Sequence, residues 1–258
     1  MVDRVCHRAD ESGEISSVRV EGDSAATPWH AHLSLVLGLV DRGHRTLHLP
    51  SGPVALGPGD GFVIPPDTPH AWAAGTSGQH RVLVLGPRLL HDSFWAAGAI
   101  RDPAWTQAFD RAFARVETGG PLARAEADSL LGQTSRLAGA ADGRRLVPGP
   151  LRMARREAVE QVEARLDLTE LARRVGLSPF HLHRLYRRTW GLTPAEHRLE
   201  ARLRHARTLI LQGTTIADAA AATGFADQSH FSRAFRRLMG VPPGMWARQI
   251  RPARRLGR

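Results

Sequence analysis

Between residues 15 and 85 the apolar positions fall in short bursts broken by Gly, Pro and Asp. The runs are "ISSVRVE", "LSLVLGLV", "RTLHLP", "PVALGPGD", "GFVIPP" and "HRVLVLG". Their close spacing and frequent turn residues predict an antiparallel sandwich or small barrel rather than βαβ units. After Pro87 the period changes. "DPAWTQAFDRAFARVE" (102–117) sets Trp105, Phe109 and Phe113 four apart, on one face of a helix. "PLARAEADSLLGQTSRLAG" (121–139) repeats Leu122, Leu130, Leu131 and Leu137 behind an early proline, a second amphipathic helix. Such a pair can cover one side of the barrel, join a second subunit, or do both. "GAADGRRLVPGP" (139–150) has the composition of an interdomain linker.

Beyond the linker the pattern is helical almost to the end. In "LTELARRVGLSPFHLHRLYRRTWG" (168–191), Leu171, Ala172 and Val175 form an apolar face and Gly176 ends the helix. Ser178 suits an N-cap and Pro179 a first helical position. Leu182, Leu185 and Tyr186 face inward on the next helix, leaving Phe180, His181, His183, Arg184, Arg187 and Arg188 outside. Two short helices with a small-residue turn describe a helix-turn-helix. The arrangement returns in "TIADAAAATGFADQSHFSRAFRRLMG" (215–240), with Asp227 as N-cap and Phe231 and Phe235 inward. Gln228, Ser229, His230, Arg233 and Arg236 face out. Its alanine-heavy first helix predicts a thin core and a less firmly held unit. A proline-started, glycine-ended helix, "PAEHRLEARLRHARTLILQG" (194–213), joins the two. At about 1.5 Å per residue it spans roughly 27 Å, which sets the two second helices about one DNA turn apart, roughly 34 Å.

Charge sharpens this division. The 258 residues carry a net charge of +10, and every basic residue is arginine. Residues 144–258 hold 23 Arg against 9 acidic residues, whereas residues 1–143 hold 12 Arg against 16. Only the C-terminal part is therefore expected to meet a polyanion. Cys6 is the single cysteine, which excludes a disulfide framework and a cysteine-based zinc site. The longest apolar run, Leu35 to Val40, is far short of the roughly 20 residues of a membrane span. With a polar N-terminus, the chain is expected to be cytoplasmic.

"PWHAHLSLVLGLVDRG" (28–43) adds candidate chemistry. His30 and His32, two apart, would project from the same face of a strand and offer two imidazoles to one site. Trp29 and Trp72 flank the mouth and could line an apolar pocket. His44 and His48 lie near a strand edge and are expected to be exposed.

Residues 152–247 closely resemble the DNA-binding domain of the AraC/XylS transcriptional regulators. The resemblance runs through both helix-turn-helix units, the connecting "RLRHARTLI" and the closing "VPPGMWAR". It implies base reading by Phe180, His183 and Arg184 in one groove and by Gln228, Ser229, His230 and Arg233 in the other. Arg187, Arg236 and Arg237 would contact phosphates, adding affinity without sequence information.

Residues 28–75 resemble the cupin-like barrel that often precedes this domain. "HAH" starts the first cupin motif, and "GDGFVIPPDTPHAW" (59–72) resembles the second, with His70 at the histidine position. The acidic residue of the metal-binding form falls on Val36. The remaining set, His30, His32 and His70, could hold a divalent transition metal with open positions. Its other use is an effector pocket formed by Trp29, His30, His32, His70 and Trp72.

The expected fold is α+β: a cupin-like barrel (1–90), a helical dimerisation and linking pair (91–140), a linker (141–151) and an all-α double helix-turn-helix (152–258). The expected function is sequence-specific transcriptional regulation in response to a small molecule bound in the barrel, with no catalytic residue and no required cofactor. The implied partners are an operator duplex, a small-molecule or metal effector, a second copy of the chain and, for an activator, RNA polymerase, with no membrane. A metal-sensing regulator is the alternative, and a cupin metalloenzyme fused to a DNA-binding module a further one. A repair methyltransferase with the same DNA-binding domain would need several cysteines, and only Cys6 exists.

Overall fold

The computed structural model describes residues 4–9, 14–23, 26–27, 29–86, 89–90, 96–138 and 148–250. The N-terminal half carries β1 (Arg4–Ala9), β2 (Ile15–Asp23), β3 (Leu35–Arg42), β4 (Arg45–Leu49), β5 (Gly52–Leu56), β6 (Gly61–Ile64), β7 (Ala71–Trp72), β8 (Ser77–Leu85) and β9 (Gly98–Ile100). They form a six-stranded sheet, β1-β2-β8-β3-β6-β9, and a three-stranded sheet, β5-β4-β7. The pairings are antiparallel, as the turn-rich pattern predicts. Strands β1, β7 and β9 are not among the predicted runs, being polar in pattern or very short.

Strand β3 is an unbroken apolar run because both of its faces are covered. Leu35, Leu37 and Leu39 join Val63, Leu83 and Leu85 under the helical pair α1 (Pro103–Glu117) and α2 (Arg124–Ala138). Val36 and Val40 point the other way, against Leu47, Leu49, Leu56, Phe62 and Ile64 between the sheets. Gly38 makes room on this second face: a Cβ there would lie 2.0 Å from Cζ of Phe62. Val36 thus fills an apolar layer where the metal-binding motif would carry an acid.

Trp105, Phe109 and Phe113 stack along α1 and bury against the sheet with Leu130 and Leu131 of α2. Nε1–H of Trp105 donates to the buried Thr134 hydroxyl at 2.8 Å, pinning the two helices together. Apart from Leu137, which is exposed, the apolar faces of the pair serve the chain's own core, and covering the sheet is their observed role. Helix α2 begins at Arg124 instead of Pro121, where the Glu126 carboxylate accepts the Ala123 N–H.

The C-terminal half comprises α3 (Gly149–Glu160), α4 (Leu168–Arg174), α5 (Pro179–Trp190), α6 (Pro194–Leu211), α7 (Ile216–Ala222), α8 (Gln228–Met239) and α9 (Pro243–Ile250). Residues 139–147 of the expected linker lie outside the described residues, and Gly149–Leu151 are already helical. Leu151 and Ala154 of α3 complete the first core, with Leu171, Ala172, Leu182, Tyr186 and Trp190. The second core corrects the expectation of a thin one. Phe225, Phe231, Phe235 and Trp246 fill the space beside Ala219 and Ala220, and Ala9 of β1 adds to it from the barrel side.

Candidate nucleic-acid interface and sensor pocket

Two capped helices present the side chains expected to face DNA. Ser178 accepts the His181 N–H at 3.2 Å and Asp227 accepts the His230 N–H at 2.7 Å, so α5 and α8 start where their caps predict. Leu182, Tyr186 and Trp190 bury one face of α5, and Phe231, Ala234 and Phe235 that of α8. Outward on α5 stand Phe180, 75% exposed, His183, half-buried, and Arg184, whose guanidinium lies 5.8 Å from the Phe180 ring. Outward on α8 stand Gln228, Ser229, His230, Arg233 and Arg236. An exposed phenylalanine and a row of cations on a short capped helix fit a groove-entering surface. The 18 residues of α6 separate the units, and its Thr193–Glu196 capping box fixes its start.

The histidines converge, though not from a strand. His30 and His32 precede β3, and His30 pairs with His70 in an isolated antiparallel bridge, N–H to O at 2.9 and 2.8 Å. Ring centroids lie 4.2 Å apart for His30 and His70, 4.8 Å for His32 and His70, and 6.2 Å for His30 and His32. Nδ1–H of His32 donates to the Ser34 carbonyl and that of His70 to the Thr68 carbonyl, each at 2.9 Å. Burial, reinforced by the neighbouring imidazoles, lowers His32 to about 4 and His70 to about 2, so both are neutral at pH 7.

Among the described residues no three His, Cys, Asp or Glu side chains are arranged to hold a metal ion. The expected metal set, His30, His32 and His70, is brought together, but the rings pack against one another and Val36 leaves no carboxylate at the expected position.

The expected effector pocket is also redrawn. Trp72 lies between the sheets, edge-on to Phe62 and beneath the Arg45 guanidinium at 4.4 Å. Trp29 is 52% exposed and, with His30 and Ala31, lines a cleft of about 440 Å³ shared with the helical half. The opposite wall is Leu192, Leu199 and Leu203, and the C-terminal turns of α5 and α8 contribute Arg187 and Arg237. These two arginines, expected on phosphates, thus also border the cleft. His32 and His70 do not line it, and their rings lie 6.2 and 4.2 Å from that of His30.

The barrel grips both helix-turn-helix units. Asp67, in the loop between β6 and β7, pairs with Arg155 of α3 at 2.6 Å and lies 3.2 Å from Nε2 of His197 on α6. Nδ1 of His197 is 2.7 Å from the Tyr186 hydroxyl on α5. The Leu33 N–H donates to Oε1 of Glu200 on α6 at 2.7 Å. On the second unit, the His7 N–H donates to Gln249 at 3.0 Å, and the Gln249 amide donates to Val5 O at 3.1 Å. Sequence reasoning passed over Asp67, Glu200 and β1. Asp67 stands inside the quoted "PPDTPH", but nothing local marks a carboxylate that works across a domain boundary.

Two family models match this architecture in order: an AraC-like ligand binding domain over residues 14–134 and a helix-turn-helix domain over residues 171–249. The chain belongs to the AraC family. This AraC-family chain spans less than a third of the length of the first curated relatives it matches. It is 45% identical over 89 residues to the HTH-type transcriptional regulator GlxA of Rhizobium meliloti (strain 1021), covering 34% of this chain and 28% of that protein. The probable transcriptional regulator LumQ of Photobacterium leiognathi is 24% identical over 88% of this chain and 94% of its own. Among solved structures, ToxT of Vibrio cholerae O395 shares the fold, with a TM-score of 0.58 over 96% of this chain and 97% of that one, at 8% identity. Among the described residues, no helix is long and apolar enough to cross a membrane.

Proposed function

We propose that this AraC-family chain is a cytoplasmic, effector-responsive transcriptional regulator, a binding protein with no catalytic centre and no required cofactor. One observation carries the DNA-binding reading: two capped second helices, joined by α6, both turn their polar and cationic side chains outward. Phe180, His183 and Arg184 read bases in one major groove, and Gln228, Ser229, His230 and Arg233 in the next. Arg187, Arg236 and Arg237 supply phosphate contacts. A homodimer would set two such pairs on one operator, with RNA polymerase as a further partner of an activator. The test is selection of bound duplexes from a random pool, followed by affinity measurements with Arg184→Ala and Arg233→Ala. Weakened, less selective binding is expected; unchanged affinity in both variants overturns the groove assignment.

The effector site we propose is the cleft beside the histidine cluster. Its walls, Trp29, Leu192, Leu199 and Leu203, suit an apolar body. Arg187 and Arg237 make no ion pair among the described residues and suit an anionic group. Thermal-shift assays compare octanoate with octanol, because the two differ only in the charged head. Stabilisation by the carboxylate alone, lost in Arg237→Ala, is expected. Equal shifts with both probes overturn the anion assignment.

A further inference from the structure

The two segments that carry the histidines also dock on the helical half. His32 leads into Leu33, whose N–H is held by Glu200. His70 ends the loop whose middle residue, Asp67, reaches Arg155 and His197. The segments are tied to each other, since the Asp67 N–H donates to the His32 carbonyl at 2.8 Å and the His30 and His70 backbones pair.

Asp67 has φ +57, the only non-glycine residue in the left-handed region among the described residues. An aspartate tolerates that conformation, and here it directs the carboxylate out of the barrel. Burial raises the Asp67 carboxyl, but His197 and Arg155 outweigh burial and hold it below the usual carboxylate range. Next along the loop, Pro69 lies against Gly191, the left-handed cap that ends α5. A Cβ on Gly191 would stand 2.5 Å from Cβ of Pro69. The loop therefore touches α3, α6 and the end of α5 at once, with a buried imidazole at its base.

We propose that the loop Pro65–His70, latched by Asp67, transmits the state of the histidine cluster to the first helix-turn-helix unit and so sets how firmly α5 is held. This rests on the cleft reading for its physiological trigger, because His30 borders the cleft and packs 4.2 Å from His70. The route is short. A ligand against His30 shifts the His30–His70 bridge, the bridge shifts the loop, and the Asp67 carboxylate keeps or loses Arg155 and His197. Tyr186, bonded to His197, carries the change into the core of α5. The second unit, gripped by β1, stays outside this route.

Hydrogen exchange on the full chain tests the coupling without knowledge of the ligand. Asp67→Asn keeps the left-handed backbone and removes the charge. It is expected to raise exchange in 179–197 roughly tenfold or more, with 228–239 unchanged. His70→Ala is expected to raise exchange in 179–197 in the parent chain and to add little in the Asp67→Asn background. Arg155→Gln breaks the latch from the other side, and His32→Ala perturbs the cluster should His70→Ala fail to fold. An α5 indifferent to the cluster variants, or responding equally in both backgrounds, overturns the proposal. Those outcomes leave the cleft assignment standing, whereas a parent chain shifted by neither octanoate nor octanol sinks that assignment and not the coupling.

Discussion

Replacing Glu200 by Gln should stabilise the protein at neutral pH, by an amount that grows with pH. Oε1 of Glu200 accepts the Leu33 N–H at 2.7 Å, while Oε2 is buried without a hydrogen-bond partner. Burial pushes the carboxyl up to about 8 from an ordinary value of 4.5, against the opposing pull of the Leu33 N–H and of Arg204. The folded pKa lies above the unfolded one, so folding favours the protonated form. That contribution is complete below pH 4.5 and is lost as pH rises through about 8. At about 1.4 kcal/mol per unit, the ionisable group costs the fold roughly 3 kcal/mol at pH 7, and residual solvent access brings this to about 1–3 kcal/mol. Gln keeps the acceptor for Leu33 and cannot ionise. Thermal denaturation between pH 5 and 8 checks it: the two melting temperatures should nearly meet at pH 5 and separate towards pH 8, by about 2–4 °C per kcal/mol. Parallel curves would refute a protonated Glu200 at the domain junction.

Further outcomes follow from the same geometry. Gly38→Ala should destabilise the barrel by about 1–3 kcal/mol, read as a lower denaturation midpoint, because the added carbon meets the buried Phe62 ring. Val36→Glu restores the acid of the metal-binding motif but places it in the layer between the sheets. It should cost more than about 3 kcal/mol and confer no stoichiometric zinc by elemental analysis. Arg236→Ala should weaken all duplexes alike and lower the salt slope of binding by about 1, whereas Arg184→Ala should cost about 1–3 kcal/mol at the preferred duplex and relax selectivity.

The helical half was legible because its signals are local. Ser178 and Asp227 cap the helices they precede, and Gly191 and Gly240 end them in the left-handed region, so boundaries follow from short-range hydrogen bonds. The strands between 15 and 85 were equally readable from their turn residues. The pocket was not. Trp72 was grouped with Trp29 by position in the chain, yet one lies between the sheets and the other opens to the cleft. Strand β1 went unseen because a polar edge strand resembles a loop in sequence, and its value lies in the contact of His7 and Val5 with Gln249 far along the chain.

By itself the sequence determined the elements, their caps and the outward rows of α5 and α8, since each depends on periodicity and on residues within a turn of one another. Tertiary structure decided what closes on what. It placed the helical pair over the sheet, drew His70 between His30 and His32, and set Asp67 between Arg155 and His197. Contacts between segments distant along the chain depend on docking and burial, which leave no period in the sequence to read.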